Sequence, residues 1–192
     1  MTLDDFKQKN NITFTSEKLL EQAFIHRSYI NENPRTGLVH NERLEFLGDS
    51  ILGMLVAEYL YQHFPQEKEG RLTRLRATLV KQDSLAEIAR HLQLGDYLLL
   101  GAGELKSGGF RRDSILADTV EAILGAIFLD SGQISQCRDC LIAWYDQRLQ
   151  ALTSETFLKD PKSRLQEYLQ AQRLALPTYN VTAIFGEDHN QT

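Results

Sequence analysis

Apolar positions recur along this chain at helical spacing, three and four residues apart, over most of its first 150 residues. Leu19, Leu20, Ala23, Phe24 and Ile25 follow "TFTS", where Thr15 or Ser16 is placed to cap. One long helix is predicted from Asn41 to about Phe64, ended near Pro65, because the residue before a proline is pushed out of helical geometry. "EGRLTRLRATLVK" forms a basic amphipathic helix, and "DSLAEIARHL" another, in which Ser84 and Glu87 fit a capping box. "GAGELKSGGFRRDS" is a Gly-rich connection with room for a helical turn. "ILADTVEAILGAIFLDSG" is a helix stopped by Gly132, and a last helix runs from about Gln133 to Leu149. The first 152 residues therefore predict an all-α domain.

The pattern changes beyond that point. "TSETFLKDP" predicts a linker over 153–160, Pro161 suits the first position of a short helix in "PKSRLQEYLQAQ", and alternation of Tyr179, Val181, Ala183 and Phe185 predicts a strand and then a loop. One helix and one strand bury too little surface to stand alone, so 161–192 reads as the N-terminal portion of an α+β domain whose remainder is missing here.

Composition adds limits. With 192 residues, 42% of them apolar, 24% charged, 12 Gly and 4 Pro, the chain has the make-up of an ordinary globular protein with one main domain. No apolar run approaches the ~20 residues that cross a bilayer, and "MTLDDFKQKNN" lacks the basic start and apolar core of a secretory signal, so a cytoplasmic protein with no membrane contact is expected. The two cysteines form "CRDC" without a second Cys pair or a close His pair, which favours reduced structural thiols over zinc. A net charge of −5 advertises no polyanionic partner, so any nucleic-acid contact must be local.

The chemistry lies in two acidic stripes. At ~100° per residue, Glu42, Glu45 and Asp49 fall within an arc of about 60° on a helix otherwise mostly apolar. Gly53 lies on the same stripe, where it would let another backbone come close. The pattern recurs where Asp118 and Glu121 share a face with Gly125, while Ile115, Val120, Ile123, Leu124 and Ile127 cover the rest. Packing the stripes together brings Glu45, Asp49, Asp118 and Glu121 into one group. Each like-charged pair ~4 Å apart repels by about 4 kcal/mol at an effective dielectric of ~20, so the group requires neutralisation. An all-oxygen donor set without His or Cys prefers Mg²⁺ or Mn²⁺ to Zn²⁺ and predicts metal-assisted phosphoryl chemistry. Arg71, Arg74, Thr78 and Lys81 share one helical face, and Lys106, Arg111 and Arg112 flank the Gly-rich connection; both groups are candidates for phosphate contact.

"HNERLEFLGDSILG", with "EGRLTRLRATLV", "GELKSGGFRRDSILADTVEAILGAIFLDSG" and "DPKSRLQEYLQ", resembles bacterial ribonuclease III across nearly the whole chain. The resemblance implies an all-α endonuclease domain of the ribonuclease III fold that forms a homodimer, followed by a double-stranded-RNA-binding domain, incomplete in this sequence. It implies cleavage of double-stranded RNA by two Mg²⁺ to 5′-phosphate and 3′-hydroxyl ends, in work such as ribosomal RNA precursor maturation and mRNA turnover. The implied metal and catalytic carboxylates match Glu45, Asp49, Asp118 and Glu121, with Asp49 and Glu121 the catalytic pair. Glu42 and Glu69 match auxiliary acids of the catalytic valley, and Phe46 an aromatic inserted into the partner subunit. Gln166 and Glu167 match minor-groove contacts of the RNA-binding domain, and His189 in "GEDHN" its groove-entering loop. The later strands and basic second helix of that domain are absent from the sequence, which weakens the expectation of tight RNA binding by this segment.

Overall fold

The structure, a computed structural model, describes residues 2–151 and 161–178. The chain divides into two compact units, Met1–Leu149 and Gln150–Thr192. The first is built of helices α1 (Leu3–Asn10), α2 (Glu17–Ala23), α3 (Arg27–Glu32), α4 (Glu42–His63), α5 (Glu69–Val80), α6 (Gln82–His91), α7 (Ala102–Lys106), α8 (Asp113–Ser131) and α9 (Ile134–Ala151), the last of which reaches just past the division. Short 3₁₀ turns at Leu94–Asp96 and Gly109–Arg111 bracket α7. Among the described residues the sole β feature is one parallel bridge between Ile25 and Leu99. None of the described helices is long and apolar enough to cross a membrane.

Helix α8 is the axis of the body. Ile115, Leu116, Val120, Ile123, Leu124 and Ile127 are all buried, and α2, α4 and α6 pack around it. Burial on every side explains why its sequence is apolar nearly all round. Gly132 ends it in the left-handed region at φ 65°, and its N–H donates to the Phe128 carbonyl at 2.8 Å. Helix α9 is fastened by Tyr145, whose buried hydroxyl donates to the Leu79 carbonyl at 3.1 Å, and by Arg138, which makes two hydrogen bonds to Glu58 on α4. Cys137, buried, and Cys140, half-buried, are both free of disulfide, and burial pushes their thiols up to about 12 and about 11, which disfavours the reactive thiolate.

Three local expectations are corrected by long-range contacts. Ser16 precedes α2 but makes no side-chain cap; the Asp130 carboxylate accepts the N–H groups of Thr15 at 2.7 Å and Ser16 at 2.6 Å instead. The capping box of Ser84 and Glu87 does not form, because α6 begins at Gln82 and both residues are drawn to Arg148. Gly53 meets nothing within 4 Å of a would-be Cβ, so it is not a point of helix approach. Gly48 has that role: a Cβ there would stand 1.8 Å from the Glu121 carbonyl oxygen, and one on Gly125 would stand 2.3 Å from that of Leu44. Residue 48 thus faces 121 and 44 faces 125, which makes α4 and α8 antiparallel and in backbone contact.

In the second unit Pro161 opens helix α10 (Pro161–Ala171), as the sequence predicts. The linker and the strand beginning at Tyr179 lie outside the described residues.

Candidate active site

The antiparallel approach of α4 and α8 fixes the site. Glu45 and Asp49 stand on the α4 turns around Gly48, and Asp118 and Glu121 stand one turn apart on α8. Glu45, Asp118 and Glu121, all half-buried, each place one carboxylate oxygen within 4.8 Å of the others'. Asp49 is more exposed and lies outside that trio, yet near enough to disfavour charge on both Glu45 and Glu121. The structure therefore gathers three of the four expected carboxylates tightly and leaves the fourth at the rim.

Burial and mutual repulsion act in the same direction here. Glu121 is pushed up to about 8, first by burial and then by Asp49, Asp118 and Glu45. Burial also raises Glu45, helped by Asp118, Glu42 and Asp49, and raises Asp118, helped by Glu42. Among the described residues Arg27 opposes the shift at both Glu45 and Asp118, and its guanidinium is already 3.3 Å from Glu42. Glu42, one turn before Glu45, is exposed and also lies 3.7 Å from His40. Three converging oxygens, under-neutralised by protein cations and joined by no nitrogen or sulfur donor among the described residues, suit a hard divalent cation. The donor set fits such an ion.

The remaining predicted residues are more scattered. Glu69 is exposed in the first turn of α5, accepts a hydrogen bond from Thr73 at 2.8 Å, and is no member of the carboxylate trio. Arg74, Lys106 and Arg111 are exposed, with Arg111 4.8 Å above the Phe110 ring. Arg71 is half-buried against Glu67 at 2.5 Å, and Arg112 pairs with Glu104 at 2.7 Å. Phe46 is 78% exposed and, with Met54 and Tyr61, remains uncovered on α4, whereas Leu44, Ile51, Leu52 and Leu55 of the same helix are buried. Gln166 is half-buried on α10; the side chain of Glu167 and all of His189 lie outside the described residues.

Periodicity missed Gly48, whose only signal was its position between Glu45 and Asp49. It also missed a cavity of about 540 Å³ beside the acids, whose lining includes His26, Arg27, Asn31 and Arg112 together with Glu45 and Asp118. That wall comes from segments far apart in the chain and has no periodic signature.

Residues 16–149 match the ribonuclease-III-like family. Ribonuclease 3 of Marinomonas sp. (strain MWYL1) is 59% identical over 179 residues, spanning 93% of this chain and 75% of that protein. Ribonuclease 3 of Aliivibrio fischeri (strain ATCC 700601 / ES114) is 54% identical over 190 residues, spanning 99% and 82%. Among solved structures, the nuclease domain of ribonuclease III from Campylobacter jejuni, described for flexibility in a region involved in dimer formation, superimposes with a TM-score of 0.70 at 37% identity. That match covers 76% of this chain and 97% of the other. A helical body carrying a half-buried carboxylate trio, matched to nuclease domains over most of its length, defines a nuclease. The chain belongs to the ribonuclease III family and is an endoribonuclease.

Proposed function

We infer that this protein hydrolyses phosphodiester bonds of double-stranded RNA, leaving 5′-phosphate and 3′-hydroxyl ends, with Mg²⁺ as its natural ion and Mn²⁺ as a substitute. The observation that carries this reading is the meeting of Glu45, Asp118 and Glu121 from two antiparallel helices in a chain of this family. When bound, a divalent cation there supplies Lewis acidity, making water a better nucleophile at neutral pH and offsetting charge on the phosphate. Glu45, Asp118 and Glu121 would hold the ion, each through a carboxylate oxygen, and the ion's charge would offset the mutual repulsion that raises Glu121. Asp49, at the rim, completes the acidic set on the side open to substrate. Glu42 and Glu69 act as auxiliary acids.

Duplex binding requires cations outside the acidic cleft. Arg74, Lys106 and Arg111, all exposed, contact phosphates directly in this reading, whereas Arg71 and Arg112 exchange Glu67 and Glu104 for phosphate. Gln166, Glu167 and His189 serve the minor groove as parts of a double-stranded-RNA-binding domain over 161–192. The working form is a homodimer. Phe46, Met54 and Tyr61, exposed at 78, 50 and 76%, stand on one face of α4 at spacings of eight and seven residues, an apolar stripe suited to a partner. A two-fold axis then sets two acidic sites across one duplex, one per strand. Ribosomal RNA precursor maturation and mRNA turnover in the cytoplasm are the processes this activity serves.

The test is cleavage of long duplex RNA and of small nucleotide esters by purified protein with Mg²⁺ and with EDTA. Cutting of the duplex alone, stopped by EDTA, is expected; cutting indifferent to EDTA would refute the metal-dependent reading.

A further inference from the structure

The cavity beside the carboxylates has a wall that the hydrolytic chemistry does not use. It starts at the N-terminus of α3. His26 is the residue before that helix, and its Nδ1 accepts the Ser28 N–H at 3.2 Å and lies 2.8 Å from the Ser28 hydroxyl. The Ser28 hydroxyl oxygen in turn accepts the Gly101 N–H at 2.9 Å. With Nδ1 serving as an acceptor, the imidazole carries its proton on Nε2. Burial, the largest influence, lowers the His26 pKa, which agrees with a neutral ring.

This wall is built, not incidental. The segment around residue 99 is paired to residues 24–26 through Leu99 N–H to the Phe24 carbonyl at 2.9 Å and His26 N–H to the Leu99 carbonyl at 3.1 Å. Glu32, at the other end of α3, accepts the Ala102 N–H at 2.7 Å. Gly101 is held so tightly that a Cβ would fall 2.7 Å from the Ser28 carbonyl oxygen.

The charge around His26 selects its ligand. The lining includes four carboxylates (Glu42, Glu45, Glu104, Asp118) against two guanidiniums, Arg27 and Arg112, both already paired with Glu42 and Glu104. Once Arg112 has exchanged Glu104 for a backbone phosphate, four carboxylates face the one remaining guanidinium, and a further phosphate at His26 is repelled. A neutral hydroxyl suits this wall, because a hydroxyl accepts from an N–H while donating to a neighbouring carboxylate. A cationic donor in the same place would pair with those carboxylates and compete with the divalent ion; a neutral imidazole does not.

We propose that His26 recognises a ribose 2′-hydroxyl of a nucleotide next to the scissile phosphate, through Nε2–H, and so helps the site choose RNA over DNA, with Ser28 as the positioning residue that fixes the tautomer. The inference rests on the reading of the site as a duplex-RNA nuclease.

The experiment pairs a protein change with a substrate change. His26→Asn keeps a side-chain acceptor suited to the start of α3 but withdraws the Nε2 donor. Cleavage and EDTA-held binding are measured on an RNA duplex with a single 2′-deoxynucleotide at each position flanking the cut, and on one with a methylphosphonate at the adjacent phosphate. The expected result is a loss of about tenfold in kcat/KM for wild type at one deoxy position, a similar loss for His26→Asn on all-ribose duplex, and no further loss when both are combined. Ser28→Ala shows the same coupling at reduced size, and serves if His26→Asn fails to fold. Independent, multiplying losses at every deoxy position would overturn the proposal, and coupling to the methylphosphonate would assign the contact to phosphate instead. Wild type that leaves unmodified duplex intact strikes the nuclease reading and this one together; wild type that cuts with uncoupled losses strikes His26 alone.

Discussion

Gly48 on α4 lies against the backbone carbonyl of Glu121 on α8, at a separation where even a methyl group would overlap the oxygen. A structural glycine and a candidate metal ligand are thus one unit: the approach that Gly48 permits carries Glu121 to Glu45. Gly48→Ala is expected to destabilise the domain by about 3 kcal/mol or more, since neither helix backbone can yield cheaply. Gly53→Ala, with open space around it, stabilises by roughly 0.5–1 kcal/mol through helix propensity. Denaturant titration of the two variants side by side checks both signs.

The raised carboxylates make the metal-free protein's stability depend on pH in an unusual direction. Glu121 ionises near 4.5 when unfolded and near 8 when folded, so between those values the folded state binds the extra proton. Stability from this group is greatest below about pH 4.5 and is lost as pH rises towards 8. Discounted for solvent screening, the fall amounts to roughly 1–2 kcal/mol. Unfolding measured in EDTA at pH 5 and 8.5 should show it, and Glu121→Gln should flatten the slope.

Glu121→Gln also removes a charged ligand. Losing only an outer partner of a ligand costs about 10–100-fold, so Mg²⁺-dependent cutting should drop by well over about a hundredfold. Dimerisation should be unchanged, since Glu121 is half-buried on α8 beside the other acids and is no part of the exposed stripe of α4. Cleavage rates with sedimentation of the same sample test the two halves of this expectation.

The proposed interface role of Phe46 predicts a variant that separates folding from assembly. Because the residue is 78% exposed in the single chain, Phe46→Ala should shift the melting temperature of the monomer little, while weakening the homodimer by about 30-fold or more, as for a central aromatic anchor. Analytical ultracentrifugation across a concentration series gives the dimer dissociation constant.

Much of this molecule is legible in its sequence because helical periodicity is a local property. The limits of α4 and α8, the stop at Gly132 and the shared faces of Glu42, Glu45 and Asp49 or of Asp118 and Glu121 all follow from neighbours within a few turns. The family resemblance rests on the same contiguous stretches. What periodicity cannot supply is which distant face a stripe meets. The choice of Gly48 over Gly53 as the crossing point, the diversion of Ser84 and Glu87 to Arg148, and the cap that Asp130 gives to α2 were decided by tertiary packing. So was the bond from Gly101 to Ser28, across 73 positions of sequence. The physical reason is that a close backbone approach or a long-range hydrogen bond belongs to two surfaces at once, and each stretch of chain encodes only its own.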